Sequence, residues 1–488
     1  MANITFGKAL KDSAWLEDFY DLDTLKLVSK STTKAVYRDD DGDQITLTGK
    51  GLSFEGDFAT KGTVTGVDFI AGSGNKYLTF TKAEFKASEI FSELKAKDFW
   101  ELVSRLTSGN DVIKGTGNEE DIIIGTNAGD DRISGGSGDD FIKGSPGNNT
   151  MNGGKGRDTL TYEESYWDKG HAKTGLVLDA TKGTVKNSWG GNDKFQNFEE
   201  YRGSYLGDKF IGSGKNETFV GLSGKDNIDG GKGWDEVRYY RDQQYDGKKG
   251  IVANLENGTI KDGFGSIDTV KSIESVIGTY FNDKFKGDAK DNEFRGLSGK
   301  DSFDGGKGSD TLNFEFWEDL GQKGIVVDLR KAKVNILDDG FGNKETAKNI
   351  ENINGSAFDD NITLGKAEGW AWGYTGDDRL VAGSGKNWLG GDTGADTFVF
   401  LSASHSTAAK TDVIEDFSRK DGDHIDVSKV ADFDFIGKGK FSGNGAELSY
   451  QVKGNESFIY GDTDGDKKAD FVVKLDGKYT LLESDFIL

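Results

Sequence analysis

Apolar residues in this chain seldom come in runs. Over long stretches they come one per nine positions, each inside a short triplet between turns built from Gly, Ser, Lys, Asn and Asp. The segment GSYLGDKFI GSGKNETFV GLSGKDNID GGKGWDEVR shows the pattern, with nonapeptides opening at Gly203, Gly212, Gly221 and Gly230. A second, GTYFNDKFK GDAKDNEFR GLSGKDSFD GGKGSDTLN, opens at Gly278, Gly287, Gly296 and Gly305. One inward side chain per nine residues predicts a very short strand after every turn. The turn glycines supply the unusual dihedrals and the close backbone approach that such tight corners need. Two nonapeptides make one coil, so turns on the same edge recur every eighteen residues.

Outside this grid the pattern changes. Within residues 1–107, AVYRDDDGDQITLTG reads as a hairpin around an acidic turn. Its Asp39, Asp40, Asp41 and Asp43 are either plain turn residues or a cation site, and the turn is the preferred reading. FTKAEFKASEIFSELKAKDFWELVSRL reads as an amphipathic helix, making this region a small α+β cap over the open edge of the first coil or, equally, a targeting or binding module. Between the nonapeptide segments, GGKGRD, GGKGWD and GGKGSD start at Gly153, Gly230 and Gly305, a long period of 77 and then 75 residues. Each is followed by an aromatic, acidic segment and a strand-like run, GLVLDA, GIVANL or GIVVDL. These inserts are expected to be extra coils or hairpins continuing the same core. The recurring Tyr166, Trp167, Tyr239, Tyr240, Phe316 and Trp317 are either sugar-stacking platforms or core filling, the second being preferred.

Composition narrows the class. Of 488 residues 71 are Gly and only 1 is Pro, which excludes a collagen-like chain. With 32 Phe, 15 Tyr and 9 Trp, the chain has too many aromatics for disorder despite a hydrophobic content of 34%. A net charge of −23 makes nucleic acid and anionic membranes poor partners, and the chain repels itself unless cations bind. There is no Cys, hence no disulfide staple. The start, MANITFGKALKDSAWLEDF, lacks the basic and apolar pattern of a signal peptide, and no stretch suits a transmembrane helix.

The aligned turns give the consensus G-G-x-G-x-D-x-U-x, where U is a large apolar residue. Stacked coils set such turns side by side, so that carbonyls and Asp carboxylates form an all-oxygen cage of the kind that suits Ca²⁺. The pattern resembles the RTX (repeats-in-toxin) family of calcium-binding repeat proteins. That resemblance implies a mainly β fold, a parallel β-roll or β-helix solenoid of nonapeptide repeats. The expected organisation is an N-terminal α+β cap at 1–107 and a roll at 108–400, with blocks at 108–161, 203–238, 278–313 and 355–400. A C-terminal β domain at 401–488 completes the chain. On one edge the eighteen-residue step pairs Asp140 with Asp158, Asp208 with Asp226, Asp283 with Asp301, and Asp360, Asp378 and Asp396 in series. The other edge is weaker: Asp131 with Asn149, Glu217 with Asp235, Asn292 with Asp310, and Gly369 and Asn387 without a carboxylate. The predicted metal ligands are thus Asp131, Asp140, Asp158, Asp208, Asp226, Asp235, Asp283, Asp301, Asp310, Asp360, Asp378 and Asp396, holding about ten Ca²⁺ ions that nearly cancel the net charge. Asp462, Asp464, Asp466 and Asp470 in GDTDGDKKADF form a further candidate loop whose glycine is misplaced for an EF-hand.

From about residue 391 the chain resembles the C-terminal domain of serralysin-type proteases and other proteins exported by type I secretion. The resemblance implies an uncleaved C-terminal signal, matched here by Asp485-Phe486-Ile487-Leu488, a type I exporter as partner, and an extracellular or cell-surface location in a Gram-negative bacterium. No HExxH, GxSxG or GxxxxGK[ST] motif is present, and His171, His405 and His424 form no zinc motif. The expectation is therefore a non-enzymatic secreted protein that folds on Ca²⁺ and acts as a structural, adhesive or surface-layer component, with self-assembly or a matrix polysaccharide as its further partner. The alternatives are a carbohydrate-binding protein and a polysaccharide-modifying enzyme.

Overall fold

The computed structural model describes residues 2–6, 23–96, 102, 105–115, 122–123, 128–166, 172–315 and 323–488. The chain falls into two compact units, Met1–Val237 with Asp268–Ser272, and Arg238–Ile267 with Ile273–Leu488.

In the first unit the grid becomes stacked parallel strands of about three residues each. Phe141–Lys143 pairs with Thr159–Thr161, so that Ile142 lies beside Leu160; Lys209–Ile211 pairs with Asn227–Asp229, so that Phe210 lies beside Ile228. Each triplet sends its middle residue inward. Ile133, Ile142, Leu160, Phe210, Phe219 and Ile228 are all buried, and fully burying one such side chain contributes about 1.5–3 kcal/mol. Phe210 and Phe219, from opposite faces of a coil, meet edge to face at 5.6 Å.

The insert of this unit is a hairpin. Val177–Asp179 and Thr184–Lys186 pair antiparallel. The second strand of the hairpin lies against Asn192–Gln196, and the first lies parallel to Lys209–Ile211. The hairpin therefore adds two strands to one face. On the other face Thr159–Thr161 pairs directly with Glu200–Arg202, with nothing inserted. The core runs on through the insert because Leu178 and Val185 are buried like the triplet centres.

Residues 26–86 fold differently, as long antiparallel strands: Lys34–Arg38, Gln44–Glu55, Phe58–Ile70 and Lys76–Lys86. The helix expected from Phe80 onward begins only at Ala87, running Ala87–Ala96 and burying Ala87, Ile90, Phe91 and Leu94. Before it, Leu78 and Phe80 pair with Phe69 and Val67 at period two, and this cross-strand packing overrides the helical spacing. Strand Asn3–Phe6 lies antiparallel to Lys76–Lys86 and parallel to Val112–Lys114, the first triplet of the grid.

The second unit repeats the coil architecture. Lys284–Lys286 pairs with Ser302–Asp304, and Glu293–Arg295 with Thr311–Asn313. Phe285 and Phe303 stack at 5.0 Å. Hairpins recur as Val252–Asn254 with Thr259–Lys261 and as Val326–Asp328 with Ile336–Asp338. Towards the C-terminus the strands lengthen. Glu447–Lys453, Glu456–Asp462 and Phe471–Asp476 form an antiparallel meander whose last strand pairs parallel with Asp412–Ile414. Phe486–Ile487 lies parallel to His424–Asp426, and buried Asp485 receives the Arg419 guanidinium in a two-point ion pair. No helix among the described residues is long and apolar enough to cross a membrane.

Candidate metal centre

The acidic residue of each nonapeptide stands one position before its strand, and its side chain turns inward. All twelve predicted ligands are at most 3% exposed. What fills the space around them is backbone from the neighbouring coil. The N–H of Asp140 donates to Oδ1 of Asp158 at 2.8 Å, that of Asp208 to Asp226 at 2.7 Å, and that of Asp283 to Asp301 at 2.8 Å. Asp360 donates to Asp378 at 2.7 Å and Asp378 to Asp396 at 2.9 Å. On the other edge Asp131 donates to Asn149 at 3.1 Å, Glu217 to Asp235 at 2.9 Å, and Asn292 to Asp310 at 2.8 Å. The structure thus makes neighbours of the residues eighteen apart.

The same ladder continues across the inserts through acids that the eighteen-residue step misses. Asn149 donates to Asp193, Asp158 to Glu199, and Asp226 to Asp268 in the first unit. In the second, Asp301 donates to Glu345, Asp310 to Glu351, and Asp396 to Asp423. A signal for most of them was present. Asp193, Asp268 and Glu345 repeat at 75 and 77 residues, as do Glu199, Glu274 and Glu351.

At several turns the residue before the buried acid, written x in the consensus, is itself Asp or Asn and carries a second ladder. Here the side-chain oxygen accepts from the following coil: Asp139 from the N–H of Arg157, Asn216 from Trp234, Asn282 from Lys300, and Asp359 from Asp377. These residues are Asp or Asn because only a short side chain with a terminal oxygen reaches that N–H. The opening Gly of the nonapeptide is explained by the carboxylate itself. A Cβ on Gly221 would lie 2.3 Å from Oδ2 of Asp226, and one on Gly296 would lie 2.4 Å from Oδ2 of Asp301.

Two family models match this chain. The RTX calcium-binding nonapeptide repeat (4 copies) matches residues 125–160, 211–239 and 277–312, and the serralysin C-terminal model of the M10 peptidases matches residues 301–488. The chain thus carries RTX-type calcium-binding repeats and a C-terminal region similar to that of the serralysins. The matched serralysin region is not the catalytic part of those proteases. No curated protein matches the chain. Among solved structures, the AlgE6R3 subunit of the Azotobacter vinelandii mannuronan C5-epimerase matches at 19% identity with a TM-score of 0.19, covering 42% of this chain and 78% of that one.

The RTX edges hold more charge than their hydrogen bonds require. At Asn149 a neutral amide oxygen accepts the ladder bond from Asp131, and at Asn352 another accepts the N–H of Trp370. An Asn would serve at every rung, yet most rungs carry a carboxylate. In Asp158, Asp301, Asp310, Asp378 and Asp396, Oδ2 is buried with no hydrogen-bond partner. A buried anion without a counter-charge is strongly disfavoured. Burial accordingly pushes the carboxyls of Asp158 and Asp360 up to about 6, those of Asp283, Asp310 and Asp396 to about 7, and that of Asp378 to about 8. Asp301 is pushed upward by burial and by the neighbouring Glu345 and Asp283, and Glu345 by burial and by the neighbouring Asp339 and Asp283. Rows of hard anionic oxygens short of positive charge suit a divalent oxygen-seeking cation, and the residues present fit Ca²⁺.

The other candidates divide. Carboxylate oxygens of Asp462, Asp464 and Asp470 lie within 4.8 Å of one another, and Asp466 is not part of that group. Asp39 and Asp43 are hairpin residues: Oδ1 of Asp39 accepts the N–H of Asp43, and Oδ1 of Asp43 accepts that of Gly72. Tyr239 is buried core, with Tyr240 part-buried beside it. Trp167, His171, Phe316 and Trp317 lie outside the described residues. His405 ends a 3-10 turn and His424 opens a strand, where it is exposed.

Proposed function

We propose that this secreted RTX protein leaves the cell unfolded through a type I exporter and folds outside as Ca²⁺ fills its edges. On this reading Asp131, Asp140, Asp158, Asp208, Asp226, Asp235, Asp283, Asp301, Asp310, Asp360, Asp378 and Asp396 hold the ions, about ten in all, at the millimolar to submillimolar affinity usual for extracellular modules. Inside a cell, where free Ca²⁺ is scarce, their repulsion keeps the coils open. Outside, ligation neutralises them, and binding free energy becomes folding free energy. The export signal remains attached at Asp485-Phe486-Ile487-Leu488, and the host is a Gram-negative bacterium. The folded protein then serves as a structural, adhesive or surface-layer component that acts through repetition.

The observation that carries the calcium reading is the surplus of buried carboxylate charge over what the hydrogen-bond ladder needs. Asp301→Asn with Asp378→Asn keeps both ladder acceptors and removes two charges. In a Ca²⁺ titration followed by circular dichroism and sedimentation, the variant should fold at several-fold higher Ca²⁺ than the wild type. In chelator it should be no less stable. Equal midpoints would mean these carboxylates are ladder residues only. The structural role expects the Ca²⁺-loaded wild type to sediment as ordered assemblies; discrete monomers at all concentrations would overturn it.

A further inference from the structure

Three long repeats put the same strand positions on a solvent-facing sheet surface, and one of the three differs in charge. In the second repeat the outward Asp229 pairs with Lys271 of the adjacent strand at 2.7 Å. In the third, Asp304 pairs with Lys348 in the same way at 2.8 Å. The corresponding neighbours in the first repeat are Asn152 and Gln196, with no carboxylate. Two positions back along the strand, on the same face, Lys194 stands where the other repeats have Thr269 and Thr346. The surface on strands Val112–Lys114, Arg132–Ser137, Thr150–Lys155 and Asn192–Gln196 is therefore basic, on a chain whose net charge is −23.

This surface is also concave. A cleft of about 480 Å³ runs across the four strands, closed on one side by the hairpin turn at Lys182–Thr184. Lys114, Arg132 and Lys194 are exposed along it and form no ion pair among the described residues. Lys182 at the wall is already held by Asp179 at 2.5 Å. Between the cations lie Thr150, Asn152 and Gln196, neutral groups that both donate and accept hydrogen bonds.

We propose that this cleft binds an acidic polysaccharide, a chain of uronate residues laid across the strands. Parallel strands step by about 4.8 Å, close to the length of one pyranose ring, so a sugar chain crossing them places one residue per strand. Arg132 and Lys194 stand two strands apart and meet carboxylates on alternate residues, the guanidinium offering a two-point fork. The Thr, Asn and Gln side chains between them match ring hydroxyls, which a phosphodiester backbone would leave unused. The inference is independent of which side chains ligate Ca²⁺, since it concerns only outward-facing groups of the folded coil.

The test uses full-length protein saturated with Ca²⁺, with folding checked by circular dichroism, and isothermal titration with short oligogalacturonates. Binding is expected, weakening with added salt, and Arg132→Gln with Lys194→Thr should lower affinity at least tenfold while leaving the Ca²⁺ folding midpoint unchanged. Lys271→Ser, on the neutralised second repeat, should bind like the wild type. Equal binding by the double variant overturns the proposal. So does a wild type that ignores oligogalacturonate, or that takes neutral cello-oligosaccharides, a DNA oligonucleotide or anionic vesicles equally well.

Discussion

Residues 26–96 and the coils that follow bury different things. The first region has strands of up to 13 residues, a buried face of Ile45, Leu47, Val67, Phe69, Leu78 and Phe80, and a helix covering part of it. Its one buried carboxylate among residues 23–96 is Asp39, at a turn. Asp68, on its surface, pairs with Lys76 at 2.8 Å. The coils have three-residue strands with one inward apolar side chain apiece, and beside most of them they bury an acid. The contrast shows two solutions to a thin core. A long antiparallel sheet with a helix gathers enough apolar area to stand without a ligand. A coil of nonapeptides gathers less and adds buried charge that opposes folding, so on the proposed calcium reading its stability depends on the cation that cancels that charge.

The largest test of this contrast is removal of Ca²⁺. Hydrogen exchange on the full chain in chelator should show fast exchange throughout the triplets of both units, for example Thr218–Val220 and Glu293–Arg295. Phe58–Ile70 and Lys76–Lys86 should keep their protection. Because stacked repeats depend chiefly on their nearest neighbours, the boundary should fall near the first triplets and not spread through the antiparallel sheet. Equal protection of the coils with and without Ca²⁺ would show that the apolar triplets suffice, and the comparison would collapse.

The second test sharpens it through pH. The ladder carboxyls titrate in the Ca²⁺-free folded coil at about 6 to 8, well above the unfolded value near 3.9. The folded state therefore holds more protons than the unfolded one across that interval. Stability of the Ca²⁺-free coils should rise as pH falls from 8 towards 4 and level off below the unfolded value. With Ca²⁺ present the sign reverses, because protons compete for the same oxygens and the folding midpoint moves to higher Ca²⁺ as pH drops. Thermal melts at pH 8 and pH 5 in chelator should differ by at least several degrees, with the lower pH more stable. A melt that moves the other way would mean the carboxylates are already neutralised within the protein.

Much of this was legible because the grid is rigid. A step of nine residues fixes which residue points inward, and a step of eighteen fixes which turns touch, so Asp140 beside Asp158 followed from counting. Counting failed where chain length between rungs varied. Asp193, Glu199, Glu345 and Glu351 sit across inserts, and only the long period near 76 residues links them. The helix start failed for another reason: Leu78 and Phe80 fit both periods, and the pairing with Val67 and Phe69 that decides between them is made by residues far from the window. The unequal faces were not legible either. Nothing local in GLVLDA says that its hairpin enters one face alone while Thr159–Thr161 and Glu200–Arg202 close directly on the other.

The smallest effect expected separates the two ladders. Asn216 and Asp359 occupy the exposed position before the buried acid and accept one N–H each from the next coil. Replacing either by Ala removes one ordinary hydrogen bond at the surface, where water can take its place, so the loss should be about 0.5–1.5 kcal/mol. The distinguishing feature is its dependence on Ca²⁺. A rung that only ties backbone to side chain is lost equally with and without the ion, so Asn216→Ala should lower stability by the same amount at pH 5 in chelator and at saturating Ca²⁺. Asp378→Asn, one register position inward, should instead be neutral or stabilising in chelator and destabilising in Ca²⁺. The outer ladder then sets the stacking of the turns and the inner ladder sets their charge. If Asn216→Ala also changed with Ca²⁺, the outer oxygen would itself belong to the cage, and the division between adjacent positions of one turn would have to be redrawn.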